Sequence, residues 1–220
     1  MNPLLESALD LMLPQENVCH LCGRWAENSI LCENCMQQMR SCRLTYPSRH
    51  FRTGAATVVS SWRHQSLPRK LVHLLKYRAD PHAAVPLAEG MADALIAEGD
   101  VLKCSQLIIP VPLHPLREKE RGYNQAELLA REISLATGLT MRTDLLCRIR
   151  QTGVLAKMTR DERMTVMWRA FAVADTAEVR GKSILLVDDV FTTGATVHAC
   201  AAALYQAGAK AVYAVTACRA

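Results

Sequence analysis

The chain has 220 residues, of which 50% are hydrophobic and 21% charged, enough to bury one domain core and add a small module. A net charge of +5 suits an anionic ligand, while an aromatic content of 5% argues against an extended surface that stacks nucleic-acid bases. No apolar run approaches the ~18 residues of a membrane-spanning helix, and the N-terminus lacks the basic start of a secretory signal. The odd number of cysteines, nine, fits a reducing compartment, so we predict a cytoplasmic protein with no transmembrane segment.

Two C-x-x-C pairs stand near the N-terminus, Cys19 with Cys22 and Cys32 with Cys35. Each pair can direct two thiolates at one ion, and the four together form the ligand set of a tetrahedral structural zinc site. The alternative is a set of free or redox thiols, but a redox C-x-x-C normally occurs once, at the start of a helix. We predict a zinc-binding module over residues 1–50 that begins with an N-terminal helix. Its role is structural or in interactions, because a four-cysteine site has no open coordination position.

The next stretch predicts one strand and two helices. Thr53–Trp62 is rich in small and β-branched residues and favours a strand. Pro68–Tyr77 favours an amphipathic helix, and Leu87–Glu98 a second helix. The basic positions of the first helix are Arg69, Lys70 and Lys76. They form either an ordinary solvated face or a face for phosphate or nucleic acid.

A strand, a charged loop and a helix follow. Gln106–Leu113 begins as a buried strand that its two prolines disrupt, and the helix after the loop ends at Gly138. Ligands of open α/β sheets bind beyond the carboxyl ends of the strands, which places the loop beside such a crevice. Its basic residues are Arg117, Lys119 and Arg121. They are candidates for contacting a polyphosphate, or else they are exposed loop charges that alternate with acids.

The most informative stretch is Ser183–Thr196. Ile184–Val187 predicts a short buried strand that ends at the adjacent Asp188 and Asp189. Thr192–Thr196 then forms a tight turn before a helix. Backbone N–H groups at a glycine-containing turn and a helix N-terminus suit a phosphate, and paired carboxylates suit ribose hydroxyls or hydrated Mg²⁺. The alternative is a turn in which aspartate and threonine merely cap the helix.

Three motifs carry a resemblance to a known family. The string V-D-D-V-F-T-T-G-A-T resembles the PRPP-binding signature of type I phosphoribosyltransferases. The segment P-V-P-L-H with R-G-Y-N-Q-A-E-L-L-A, together with the four-cysteine module, is similar to the ComF/GntX branch of that family. The resemblance implies an α/β fold, a parallel sheet flanked by helices, over residues 51–220, with a small N-terminal zinc finger.

The same resemblance implies a ligand and roles for the site residues. PRPP, or a related ribose 5-phosphate, would place its 5′-phosphate in the turn. Asp188 and Asp189 would hold the ribose hydroxyls as catalytic residues, and Mg²⁺ would bind mostly to pyrophosphate oxygens. The turn residues are Thr192, Thr193, Gly194, Ala195 and Thr196. The basic loop residues Arg117, Lys119 and Arg121 would hold the pyrophosphate. Leu155 stands where a glutamine is usual in ComF-like chains, which removes a polar group from the segment expected to close over the substrate.

The resemblance leaves the reaction open. It implies a role in natural transformation or in DNA uptake and utilisation, with a Mg-dependent pentosyl transfer from PRPP as the chemistry. No residue stands out as a general base for an acceptor, so a non-catalytic adaptor that binds single-stranded DNA and the uptake machinery is an alternative. A nucleobase salvage enzyme is a weaker alternative, since the cysteine module is not expected there.

Overall fold

The computed structural model describes residues 17–27, 29–45, 48–49, 56–150 and 170–220. Within these ranges, a six-stranded sheet has the strand order β1-β2-β8-β7-β3-β4. All neighbouring strands are parallel except β1 and β2, which are antiparallel. A separate antiparallel pair is formed by β5 and β6. The strands are β1 Ser48–Arg49, β2 Ala56–Arg63, β3 Leu107–Pro110, β4 Thr140–Met141, β5 Leu146–Arg148, β6 Phe171–Val173, β7 Ser183–Phe191 and β8 Ala211–Arg219.

Helices cover the sheet, as expected for parallel strands that are buried on both faces. They are α1 Glu33–Ser41, α2 Ser66–Tyr77, α3 Ala84–Ala97, α4 Asp100–Cys104, α5 Pro115–Arg121, α6 Gln125–Thr137, α7 Thr176–Val179 and α8 Ala195–Gln206. A short 3₁₀ turn, Pro81–Ala83, precedes α3. The predicted fold class is confirmed. None of the helices in the described ranges has the length and hydropathy needed to cross a bilayer.

Strand β7 differs from the sequence prediction in length. We expected it to end at the acidic pair, but it continues through Asp188 and Asp189 to Phe191. The extension is held by β8, which is in register with β7 as far as the pair Phe191 and Arg219. Pairing with β8 therefore extends β7 past Asp188 and Asp189, although aspartate has a low strand propensity.

Strand β3 is shorter than the predicted strand and ends at Pro110. Proline has no N–H to donate to the ladder, and after it only Val111 donates to a β7 carbonyl, that of Val187, at 2.9 Å. The helix α6 that follows ends before Gly138, which has a φ of 73°. The prediction that Gly138 ends this helix is confirmed, because a left-handed residue after a helix favours glycine.

The cysteine segment packs on the sheet rather than forming a core of its own. Leu31 and Met39 belong to the same buried cluster as Trp62 of β2 and Leu71 and Leu75 of α2. The chain after α1 also runs beside β2, where the Leu44 N–H donates to the Ser61 carbonyl at 3.0 Å. The boundary at residue 50 stays a prediction, and the predicted N-terminal helix lies outside the described residues.

Candidate functional site

The carboxyl end of β7 carries the acidic pair. Asp189 is buried, with 4% of its surface exposed, and Asp188 is half-buried. The two are tied together locally, because the Asp189 N–H donates to Oδ1 of Asp188 at 2.9 Å. Both side chains line a cavity at this edge of the sheet. The strand thus presents two carboxylates side by side where an α/β sheet binds its ligands.

A lysine from another element neutralises one of the two acids. The Lys76 ammonium, near the end of α2, lies 2.6 Å from Oδ2 of Asp189. Burial disfavours the charge of Lys76, but the carboxylates of Asp189 and Asp188 outweigh it, so the pKa of Lys76 is raised. Lys76 is therefore a built-in counter-ion of Asp189.

Asp188 is in a different electrostatic position. Burial and the negative charge of Asp189 raise the pKa of Asp188 from 3.8 to about 7, although Lys76 acts in the opposite direction. At a pH near 7 Asp188 is therefore about half protonated, so the pair carries less negative charge than two ionised carboxylates. Such a pair can present both a proton donor and an acceptor to neighbouring hydroxyl groups.

The turn after β7 encloses a small pocket of about 70 Å³. Gly194 has a φ of 80°, in the left-handed region, which allows the sharp turn into α8. The hydroxyl of Thr193 accepts a hydrogen bond from the Ala195 N–H at 3.4 Å. The predicted turn residues, Thr192, Thr193, Gly194, Ala195 and Thr196, all line this pocket. A helix N-terminus at a pocket of this size suits a single phosphate group.

The pocket adjoins a larger cavity of about 570 Å³. Asp188, Thr192 and Thr196 line both, so the two form a continuous site. Further walls come from the loop after β3, from Gln125 at the start of α6, and from Arg148 at the end of β5. The rest of the wall is a face of α2 with the preceding His64.

The α2 wall lies on the helix whose basic face the sequence left open between a solvated face and a face for phosphate. It consists of Arg69, Val72, His73, Lys76 and Tyr77. Burial, and then the positive charges of Lys76 and Arg69, lower the pKa of His64 beside it. The helical spacing of basic and aromatic residues was the available signal, yet a solvated face has the same pattern. Only the fold shows that this face turns toward the carboxylates of β7.

The basic residues of the predicted pyrophosphate loop lie on α5. Arg117 and Lys119 are exposed, and none of the three basic residues borders the cavity as the structure describes it. Arg121 hydrogen-bonds Gln125, a residue of the cavity wall, and lies 5.9 Å from the centre of the Tyr77 ring. Their proposed contact with pyrophosphate stays a prediction. Leu155 lies outside the described residues.

The four predicted zinc ligands come together. The Sγ atoms of Cys19, Cys22, Cys32 and Cys35 all lie within 4.8 Å of one another, and those of Cys22 and Cys32 are 3.6 Å apart. Tetrahedral zinc with Zn–S bonds of about 2.3 Å separates its sulfurs by about 3.8 Å, so this group could hold zinc. A side-chain hydrogen bond from Arg24 lowers the pKa of Cys22 to about 6, which favours the thiolate that a metal needs.

The cysteine segment also contacts the residues that follow α2. His20, between Cys19 and Cys22, has its Nδ1 atom 2.7 Å from Oδ2 of Asp80. The His20 ring also contacts that of His82 edge-on, with 5.9 Å between centroids. The cysteine segment therefore contacts the turn that follows α2, the helix that also lines the cavity.

Comparison with known proteins gives a consistent set of relatives. Residues 81–220 match the family profile described as phosphoribosyl transferase domain. Competence protein F of Haemophilus influenzae is 32% identical over 112 residues, which cover 50% of this chain and 49% of that protein. DNA utilization protein YhgH of Salmonella typhimurium is 31% identical over 151 residues, 68% of this chain and 66% of that protein. Competence protein ComFC of Bacillus subtilis is 26% identical over 198 residues, 89% and 74% respectively. The chain thus spans about half of the first relative's length and about two thirds of the second's.

Proposed function

Because the chain belongs to the phosphoribosyltransferase family, in its ComF-type branch, we propose that its cavity binds PRPP or a related ribose 5-phosphate. The observation that carries the proposal is the continuity of the two cavities. A phosphate-sized pocket adjoins a larger space, and Asp188 stands at the junction. A phosphate joined to a sugar has this arrangement of one compact anion and several hydroxyl groups.

The 5′-phosphate occupies the pocket of Thr192–Thr196 in this proposal. Backbone N–H groups of the turn and the first turn of α8 donate to its oxygens, and the threonine hydroxyls add further donors. The left-handed Gly194 keeps the backbone free of a Cβ atom at the turn. The ribose then extends toward β7, where Asp188 and Asp189 accept hydrogen bonds from its vicinal hydroxyls.

Magnesium accompanies PRPP in this proposal and does not form a separate protein site. Asp189 already has the Lys76 ammonium as its counter-ion, so the acidic pair offers little charge for a second cation. Mg²⁺ retains its waters and favours phosphate oxygens, so the pyrophosphate would hold it and Asp188 would accept from a bound water. Arg117, Lys119 and Arg121 would neutralise the remaining pyrophosphate charge from α5.

If the chain is a transferase, its residues act mainly by positioning. Pyrophosphate departure leaves positive charge at C1 of the ribose, and Asp188 and Asp189 would hold the ribose hydroxyls in the position that this step needs. The acceptor is not assigned, so binding and turnover are tested separately.

Calorimetric titration with Mg-PRPP tests the proposal. We expect saturable binding to the wild type that Asp188→Asn combined with Asp189→Asn weakens at least about tenfold, since hydrogen bonds to charged groups contribute about 1.5–3 kcal/mol. Asp144→Asn removes an aspartate outside the cavity and is the matched control. Absence of wild-type binding, or equal binding by the double variant, would contradict the proposal. Pyrophosphate release in the same samples separates a transferase from a protein that only binds PRPP.

For the cellular role, we propose DNA uptake or utilisation, because relatives are named as competence and DNA utilization proteins. The second candidate within this role is a non-catalytic adaptor that binds single-stranded DNA, which the net charge of +5 favours. Mobility-shift assays with a single-stranded oligonucleotide across a salt series test it. Phosphate contacts predict an affinity that falls steeply with salt, whereas no binding at low salt would contradict the adaptor.

A further inference from the structure

Helix α2 has an unusual backbone conformation at each end. Within the described ranges, the residues other than glycine that have a positive φ are Ser66, at 47°, and Ala79, at 51°. Ser66 is the first residue of α2, and Ala79 follows the last residue of the helix by two positions. A left-handed conformation is unfavourable for a residue that has a Cβ atom, so it persists only where surrounding contacts hold it.

A contact of this kind reaches the turn after α2 from the cysteine segment. Asp80 directly follows Ala79, and its Oδ2 atom lies 2.7 Å from Nδ1 of His20. The exposed fractions of the two side chains are 27% for His20 and 18% for Asp80, so water competes only weakly for the contact. His20 is itself fixed, because its N–H donates to the Ile30 carbonyl at 3.0 Å. The cysteine segment therefore holds the turn through a short polar contact.

The same end of α2 carries the residue that pairs with the acidic site. Lys76 lies four residues before Asp80, and its ammonium is 2.6 Å from Oδ2 of Asp189. The hydroxyl of Tyr123 donates to the Leu75 carbonyl at 2.7 Å. Leu75 is one of the last four residues of α2, whose carbonyls have no partner within the helix. The last turn of α2 is thus held on one side by Tyr123 and at its end by Asp80.

We propose that His20 and Asp80 are positioning residues for the cavity. Their contact fixes the turn at Ala79, and this turn sets where α2 presents Lys76 to the acidic pair. The inference rests on the proposed function, because a displaced Lys76 leaves the acidic pair poorly oriented for a ribose. His20 and Asp80 precede residues 81–220, so this support lies outside the part that matches the family profile. The cysteine segment acts on the affinity of the cavity through Asp80, since His20 does not line that cavity.

A double-mutant cycle tests the positioning without any ligand. Urea denaturation of the wild type, Lys76→Met, Asp189→Asn and the double variant gives the coupling free energy between Lys76 and Asp189. The same four proteins are then made in an Asp80→Ala background. We expect the coupling free energy to fall by at least about half, because Lys76 is no longer held at its partner. An unchanged coupling would overturn the inference and would show that the burial of Leu71 and Leu75 alone places Lys76.

The backbone at Ala79 allows a rescue test. Glycine adopts a left-handed φ without the penalty of a Cβ atom, so Ala79→Gly makes the turn less dependent on the contact between His20 and Asp80. Addition of Ala79→Gly to Asp80→Ala should restore at least about half of the lost coupling free energy. A loss that Ala79→Gly does not restore would mean that Asp80 supports the fold in general, and the positioning role would be rejected.

Calorimetric titration with Mg-PRPP measures the effect on the ligand. Asp80→Ala and His20→Ala should each bind at least about fivefold more weakly than the wild type, and the combined variant should bind no more weakly than either, because both remove the same contact. Asp100→Ala removes an exposed aspartate outside the cavity and is the matched control. It should bind within about twofold of the wild type.

The two measurements separate this inference from the proposed function. If the wild type binds Mg-PRPP and Asp80→Ala binds it equally well, the proposed function stands and the inference fails. If the wild type does not bind Mg-PRPP, the proposed function fails. A coupling between Lys76 and Asp189 that still depends on Asp80 would then retain the positioning of Lys76 by the cysteine segment.

Discussion

The Lys76 ammonium lies 2.6 Å from Oδ2 of Asp189 and joins α2 to the carboxyl end of β7. Lys76 precedes residues 81–220, the part that matches the phosphoribosyltransferase profile. The counter-ion of Asp189 thus comes from the segment that connects this domain to the cysteine group. An ion pair in this position affects the stability of the fold and the charge of the site together.

We predict that Lys76→Met destabilises the fold, because it leaves Asp189 buried without its counter-ion. The exposed fractions of the two side chains are 22% for Lys76 and 5% for Asp189. Removal of one partner from such a pair should lower the free energy of unfolding by about 3 kcal/mol, measured by urea denaturation.

Two comparisons check the cause of that loss. Lys70→Met removes an exposed lysine from the same helix and should change the free energy of unfolding by less than about 0.5 kcal/mol. Lys76→Met combined with Asp189→Asn should recover part of the loss, because the unpaired charge is removed as well. Equal free energies of unfolding for Lys76→Met and Lys70→Met would show that the ion pair contributes nothing to stability.

Asp188 should make the fold less stable as the pH rises. Its pKa is about 7 in the folded protein and about 3.9 in an unfolded chain, so between these values the folded state holds more protons. Unfolding is then favoured by increasing pH, with a slope of at most about 1.4 kcal/mol per pH unit that levels off above about pH 7.

The variant Asp188→Asn removes this titration and retains an oxygen that can accept from the Asp189 N–H. We expect its free energy of unfolding, relative to the wild type, to increase from about pH 5 to about pH 7 and then to become constant. Urea denaturation at several pH values measures both proteins, and the difference cancels groups that titrate in both. Parallel pH profiles would mean that Asp188 ionises normally in the folded state.

The parts of the site that could be predicted from the sequence are those whose residues lie close together in the chain. The turn Thr192–Thr196 and the four cysteines are contiguous or closely spaced in sequence, and their chemistry depends on that spacing. The contribution of α2 depends on the packing of a distant helix against β7, which no local pattern encodes. The sequence identified Asp189 as a candidate site residue, but it did not indicate that Asp189 forms an ion pair with Lys76.

The fold likewise has features that local sequence predicts and features that depend on distant contacts. Apolar runs predicted the buried part of β7, but its continuation to Phe191 depends on pairing with β8. The cysteine segment was predicted as part of a small module over residues 1–50. Its apolar residues, such as Met39, enter the cluster that also holds Trp62 and Leu71. The length of β7 and the packing of the cysteine segment both depend on contacts with residues that are distant in the chain. A single sequence carries little information about such contacts.

We predict that Gly90→Ala destabilises the contact between α3 and β2. A Cβ atom at Gly90 would overlap the indole of Trp62, which is buried and donates through Nε1 to the Leu87 carbonyl at 3.4 Å. The cost of overpacking should exceed the gain of about 1 kcal/mol in helix propensity. We therefore expect the free energy of unfolding, measured by urea denaturation, to fall by about 1–3 kcal/mol.

Gly90→Ala in a Trp62→Phe background tests the cause of this loss. Trp62→Phe removes the indole ring atoms that lie nearest to the added Cβ atom. We expect Gly90→Ala to lower the free energy of unfolding less in this background than in the wild type. An equal loss in both backgrounds would mean that overlap with Trp62 is not the cause.

Loss of the cysteine group should destabilise the whole fold, because this segment shares its core with α2. We propose that the wild type carries about one zinc per chain, which atomic emission spectroscopy measures, and that Cys32→Ser loses it. The variant should unfold about 10 °C or more below the wild type, since metal loss exposes Leu31 and Met39 and loosens their contact with Leu71. Cys104→Ser removes an exposed thiol outside the group and should retain both metal and stability. Wild type stripped of metal that unfolds at the same temperature as zinc-loaded wild type would exclude zinc as the stabilising element.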